Sequence, residues 1–255
     1  MQIFFDLDGT LINSQPRLYK LFCAMCPENH FTYEQYWDIK RQRVTQAEML
    51  KKYFQYPDDK INSFHAEWLA HVEDPEKMLQ DTPFDGVTEL LKNLSSRHEL
   101  YIVTNRQSYE KTYEQIKLCG WESLITEVLV TEQKQNKTAL AQKVLRSPGN
   151  AVWVGDTGED MRAAKALDIP VIAVTWGVIH RMLLQEYLPD FIADSVAELG
   201  DTIAQIIEKA SSADSNIVCK TEKVLCDDAQ HSSHEALDGE PHGKQDGRVL
   251  NHGEL

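Results

Sequence analysis

The sequence is short of positive charge: 26 lysines and arginines stand against 40 aspartates and glutamates, a formal net charge of −14 over 255 residues. That deficit argues against a nucleic-acid surface, which needs clustered basic side chains to neutralise phosphates. Long hydrophobic runs are also missing. The first apolar stretch, Ile3-Phe4-Phe5, is cut by Asp6, far short of a secretory signal core or of the roughly 20 residues of a membrane span. Cysteine is scarce and odd in number, five in all, which excludes a disulfide framework. These absences describe a soluble, cytoplasmic chain with no nucleic-acid or membrane partner. The length suits one large domain, or a domain with a substantial insert.

Two of the cysteines, Cys23 and Cys26, have the C-x-x-C spacing of half a zinc site or of a redox pair. No second such pair lies near, and Leu21, Phe22 and Met25 surround them. They are expected to be buried helix cysteines acting as small hydrophobes.

What the chain does have is a series of short, continuous apolar runs: Ile3–Phe5 within the expected strand 2–6, then 100–103, 128–130, 151–154 and 171–174. Runs of this kind without polar alternation are expected of strands covered on both faces. Between them, residues 86–95, 108–118, 138–145 and 159–167 place apolar residues at helical spacing. The alternation predicts an α/β fold with a doubly wound, mostly parallel sheet. Residues 15–81 interrupt it. There Tyr19, Phe22, Tyr36, Trp37, Met49, Leu50, Phe64 and Trp68 recur at helical spacing, and Pro16, Pro27, Pro57 and Pro75 mark boundaries. This interval is expected to be a helical insert, leaving residues 1–14 and 82–210 as the α/β core. From 211 to 255 the composition turns acidic and polar, nine acids against four bases, and a disordered tail is expected. Its His231, His234, His242 and His252, with Cys219 and Cys226, have no surrounding fold to make them a metal site.

Four features carry chemistry. Asp6 and Asp8 leave the first strand at its carboxyl end, where open α/β sheets bind ligands, and Gly9 permits the tight turn that follows. The alternative is a plain Asp-Gly turn with Asp6 as a cap. Thr104-Asn105-Arg106 follows the 100–103 strand and offers a hydroxyl and backbone N–H groups to phosphoryl oxygens, though Thr and Asn are also ordinary turn formers. Lys137 opens a helical pattern and could neutralise both a carboxylate and a phosphate; Lys134 competes for that place. Asp156 and Asp160, four apart at a loop-to-helix junction after the 151–154 strand, can share one pocket. Hard oxygen ligands of this kind suit Mg²⁺; helix capping would account for one of the two carboxylates only.

The ordered set Asp6-Leu7-Asp8-Gly9-Thr10-Leu11, Thr104, Lys137 and Gly155-Asp156-Thr157-Gly158-Glu159-Asp160 resembles the four motifs of the haloacid dehalogenase-like phosphohydrolases. The resemblance runs from residue 2 to about 205. It includes Thr175-Trp176-Gly177, similar to phosphoglycolate phosphatase-like members, and it makes the 15–81 insert the counterpart of that family's small cap. It implies a Mg²⁺-dependent phosphatase acting on a small phosphorylated metabolite. In that reading Asp6 is the nucleophile and Asp8 the general acid and base. Thr104, Asn105 and Lys137 hold the phosphoryl oxygens. Asp6, the main-chain carbonyl of Asp8 and Asp156 hold the metal, with Asp160 in or just outside that shell. In the cap, Arg41 and Arg43, with Lys40, Lys51 and Lys52, are candidates for contact with an anionic substrate, or else ordinary surface charge; Arg17 has the same standing, and Trp176 and His180 could approach the site. A phosphomutase on the same scaffold and a non-catalytic binding module are the competing readings. A dehalogenase is disfavoured by Asp8 and the Gly9-Thr10 pair.

Overall fold

The computed structural model describes residues 1–212. The acidic tail, with its histidines and cysteines, lies outside the described residues but for its first two.

Hydrophobic runs too short for helices become strands that need cover on both faces, and six of them form one sheet. These are β1 (Gln2–Phe5), β4 (Glu99–Thr104), β5 (Glu127–Val130), β6 (Ala151–Gly155), β7 (Val171–Val174) and β8 (Phe191–Ala193). Their order across the sheet is β5-β4-β1-β6-β7-β8, and every pairing is parallel. The expected doubly wound sheet is therefore present, with β8 as a strand the apolar pattern did not disclose. Alternate residues of β1 feed two separate cores: Ile3 and Phe5 enter one, Phe4 the other. The helices α6 (Val87–Ser95) and α7 (Tyr109–Leu118), with residues 196–207, cover the first face. On the other face lie α8 (Lys137–Val144), α9 (Gly158–Ala166) and α10 (Arg181–Gln185).

β1 runs at the middle of the sheet, with the chain winding one way through β4 and the other way through β6. Ile3 is level with Leu100 and Val152, and Phe5 with Ile102 and Val154. The strand ends therefore bring Asp6, Thr104 and Gly155 to one edge, the switch point where such sheets open a crevice.

A short antiparallel ribbon, β2 (Ile12–Asn13) with β3 (Thr82–Pro83), stands at the root of the helical segment. Neither strand is long enough to leave a periodic signal. Between them come α1 (Gln15–Met25), α2 (Tyr33–Lys40), α3 (Gln46–Phe54), α4 (Asp58–His71) and α5 (Pro75–Met78). Local signals place two of these helices. Thr32 with Gln35 and Thr45 with Glu48 form capping boxes, each side chain satisfying a donor of the other residue's backbone. The segment has its own aromatic core, in which Phe22 lies 4.8 Å from Tyr36 and 5.9 Å from Phe64, ring to ring. Cys26 is buried at the end of α1 and Cys23 is half-buried; both are free thiols. Among the described residues no helix is long and apolar enough to cross a membrane.

Candidate active site

Four charged side chains almost out of reach of water meet at the carboxyl edge of the sheet. Asp6 follows β1, Asp156 follows β6, Asp160 lies in the first turn of α9, and Lys137 is the first residue of α8. Asn136 accepts from the Ala139 N–H, so the helix starts where it must to present Lys137. The Lys137 Nζ donates to Asp6 Oδ1 at 2.6 Å and to Asp160 Oδ1 at 2.8 Å. Asp160 also accepts from the Trp153 indole at 3.2 Å, while its Oδ2 accepts from the Thr157 hydroxyl and N–H. One carboxylate thus caps α9 and reaches the site as well. Asp156 accepts from the Val178 N–H at 2.6 Å and from the Thr10 hydroxyl at 3.4 Å. Lys134, by contrast, is exposed and pairs with Glu132.

This cluster is out of balance, three carboxylates against one ammonium. Burial and the neighbouring Asp160 push Asp156 up to about 6. Burial also raises Asp6 well above the usual carboxylate range, with Asp160 and Asp156 adding to the rise and Lys137 opposing it. Lys137 is desolvated too, yet Asp160 and Asp6 hold its amine above the ordinary lysine value. Carboxylate oxygens of Asp6, Asp156 and Asp160 all lie within 4.8 Å of one another. An all-oxygen set carrying surplus negative charge suits a hard divalent cation such as Mg²⁺ and offers nothing to a soft one. Two glycines leave the space: a Cβ at Gly177 would fall within the Asp156 carboxylate, and so would one at Gly9, whose φ of +89° also disfavours any side chain.

Asp8 is held apart from this cluster and is balanced. Arg106 grips it in a bidentate pair, Nε to Oδ2 and Nη2 to Oδ1, both 2.8 Å, and the Arg17 guanidinium stands 4.0 Å from Oδ1. Both arginines also face Asp81, Arg17 at 2.8 Å and Arg106 at 3.8 Å. Burial alone would raise the Asp8 carboxyl; Arg106, helped by Arg17, holds it down at about 2. Arg106 stands next to Asn105 in the sequence, but its partnership with a residue 98 positions away left no local trace. The loop that carries it is fixed from the helical segment: Glu73 accepts from the N–H groups of Gln107 at 2.6 Å and Ser108 at 3.1 Å.

Asp6, Asp8, Thr104, Asn105, Arg106 and Lys137 line one cavity of about 420 Å³. Thr104 is buried as the last residue of β4, and the exposed Asn105 side chain donates to Glu159 at 2.6 Å. Arg41 and Arg43 are not among the residues lining it. Arg43 pairs with Glu186 at 2.8 Å, donates to the Leu183 carbonyl and lies over the Tyr187 ring; the Arg41 carbonyl accepts from the His180 N–H. Their neighbour Lys40 does line the cavity, as do Tyr36, Trp37 and Trp68 from α2 and α4. The Trp176 indole donates to the Thr10 carbonyl at 3.1 Å, bracing the turn after Asp8.

The profile of the haloacid dehalogenase-like hydrolases matches residues 3–174. Phosphoglycolate phosphatase of Synechococcus elongatus is 24% identical over 226 residues, covering 81% of this chain and 99% of that protein. Pyrophosphatase PpaX of Bacillus mycoides is 26% identical over 218 residues, covering 80% and 97%. Among solved structures, a haloacid dehalogenase-like hydrolase of Streptococcus pneumoniae superimposes with a TM-score of 0.68 at 22% identity, over 79% of this chain and 97% of its own. With the profile spanning Asp6, Thr104, Lys137 and Asp156 alike, the chain belongs to the haloacid dehalogenase-like hydrolases.

Proposed function

We propose that this protein is a Mg²⁺-dependent phosphatase that hydrolyses a small phosphomonoester through an aspartyl-phosphate on Asp6. The observation that carries the reading is the buried Asp6–Lys137–Asp160 arrangement at the sheet's switch point, with Asp8 two residues on and Thr104 at the adjoining strand end. Two relatives named for phosphate-releasing reactions agree with it.

The Asp6 carboxylate attacks phosphorus and the bond to the leaving oxygen breaks, dividing one difficult displacement into two easier ones. Lys137, together with the Thr104 hydroxyl and the Asn105 amide, binds the equatorial phosphoryl oxygens and offsets their charge. Lys137 also keeps Asp6 aligned. Asp8 protonates the leaving alkoxide and later takes a proton from the hydrolytic water. Ionised against Arg106, it stands here in the proton-accepting form; donation to the leaving group requires that contact to loosen. Asp6, the Asp8 main-chain carbonyl and Asp156 would hold Mg²⁺, with Asp160 beside them tied to Lys137 and the α9 N-terminus. Bound there, Mg²⁺ would screen carboxylate from phosphate so that two anions can meet. The helical segment acts as a cap, closing the side of the cavity that receives the leaving group.

Asp6→Asn should lose at least about 10³-fold in phosphate release from p-nitrophenyl phosphate, with the thermal melt retained. Chelation with EDTA should remove activity, and added Mg²⁺ should restore it. An Asp6→Asn protein that still turns over removes Asp6 from the nucleophile role, and activity indifferent to EDTA removes the metal.

A further inference from the structure

One face of α2 carries an indole N–H with no acceptor and, among the described residues, a cation with no carboxylate partner. Trp37 and Lys40, three apart and so neighbours on a helix surface, line the same cavity as Asp6 and Asp8. Trp37 is 4% exposed, and its indole N–H has no hydrogen-bond partner. Buried donors are nearly always paired, because an orphan keeps the whole loss of its hydration. Lys40 closes α2. Its Nζ donates to the Val44 carbonyl at 3.0 Å, and among the described residues no carboxylate stands within ion-pairing distance of it. Glu48, whose charge it feels, is occupied at 2.8 Å with the Thr45 N–H and hydroxyl. Burial lowers the Lys40 ammonium to about 8, Glu48 opposing, so it is still charged at neutral pH.

The other cations of the cavity are engaged: Lys137 with Asp6 and Asp160, Arg106 with Asp8, and Arg17 with Asp81. What remains on the cap side is two residues that line the cavity, Lys40 with no carboxylate partner and Trp37 with an indole N–H that has no acceptor; Leu18, Trp68 and Val178 line the same cavity. We propose that Trp37 and Lys40 form a leaving-group subsite that receives a second oxyanion, a carboxylate or a phosphate, on the portion of the substrate that departs from phosphorus. This rests on the phosphatase reading and narrows it to phosphomonoesters, or phosphoanhydrides, whose leaving group is itself anionic. The basic contact expected at Arg41 and Arg43 thereby moves one residue back along the chain, to the lysine that α2 turns toward the cavity.

The test compares matched compounds. Phosphoglycolate is set against 2-hydroxyethyl phosphate for a carboxylate, and pyrophosphate against methyl phosphate for a phosphate. The readout is the ratio of kcat/KM, charged over neutral, in the wild type, Lys40→Met, Lys40→Arg and Trp37→Phe. The wild type should favour the charged member of at least one pair, and the pair whose ratio falls in Lys40→Met identifies the oxyanion. Lys40→Met should cut that ratio roughly ten- to a hundredfold, the weight of one charge-assisted hydrogen bond, Trp37→Phe several-fold, and Lys40→Arg should recover most of it. Because the readout is a ratio within each protein, a general loss of folded enzyme does not imitate the effect. Phosphate release with no charged preference, or a ratio unmoved by Lys40→Met, overturns the subsite and leaves the phosphatase reading standing. No release from any compound by the wild type overturns both.

Discussion

At the carboxyl edge of the sheet, Asp6, Asp156, Asp160 and Lys137 are withdrawn from water and bonded to one another or to their backbone surroundings. On α2, Trp37 and Lys40 line the same cavity: the Trp37 N–H is unpaired, and the Lys40 ammonium donates to the Val44 carbonyl. The sheet edge is buried, internally bonded and overloaded with negative charge, as suits a site for a cation and a phosphoryl group. The helical segment is built of aromatic rings and holds donors in reserve. A site that performs the same chemistry every time must be preorganised, whereas one that discriminates between molecules needs groups that only the right molecule satisfies.

The comparison breaks first at Asp8. If the sheet edge alone supplies chemistry, Asp8→Asn should slow release of a poor alkoxide leaving group by about 10²–10⁴-fold and of p-nitrophenolate far less. Equal losses for both leaving groups would take the proton-transfer role from Asp8. The helical segment should fail by loss of packing instead. Phe22 is fully buried among Tyr36, Phe54 and Phe64, so Phe22→Ala should cost about 3–5 kcal/mol. Hydrogen exchange should then show α1–α4 amides losing protection ahead of those in β1, β4 and β6. Uniform loss would mean that the two regions unfold as one.

Gly177→Ala should act in the opposite way. A methyl group there displaces the Asp156 carboxylate, and turnover should fall about a hundredfold, as expected for an ångström-scale misplacement, with the melt of the helical segment unchanged. The smallest effect lies at Glu28, which Tyr56 at 2.5 Å and Lys60 at 3.0 Å hold down at about 2. A depressed carboxyl stabilises the fold above its unfolded value of 4.5, and that contribution disappears as pH falls toward 2. The melting advantage of the wild type over Glu28→Gln should therefore be complete at pH 6 and shrink steadily below about 4.5.

The legible parts of the fold were those whose signal is local. β1 and β6 are buried on both faces and read as unbroken apolar runs; α8 begins at Lys137 because Asn136 caps it, next to it in the chain. β2 and β3, two residues each, and β8, three, are too short to express a period. At the site, the sequence favoured Lys137 over Lys134 because it directly precedes the apolar helix pattern, and the start of α8 places Lys137 against Asp6. Arg41 and Arg43 looked equivalent to Lys40 in the sequence, since all three sit in one basic stretch. Their separation comes from the end of α2 and the positive φ of Arg43, +66°, which sends its side chain to Glu186 and Tyr187.

By itself the sequence determined the parallel α/β sheet and the strand ends at which Asp6, Thr104 and Asp156 stand, because burial on two faces and turn chemistry are written in consecutive residues. Tertiary structure alone decided that Arg106 holds Asp8, that three carboxylates cluster where a single ammonium bonds two of them, and that the cavity cation without a carboxylate partner among the described residues is Lys40. Charges act through space over a few ångströms, and the residues that balance one another here lie 98, 131 and 23 positions apart in the chain.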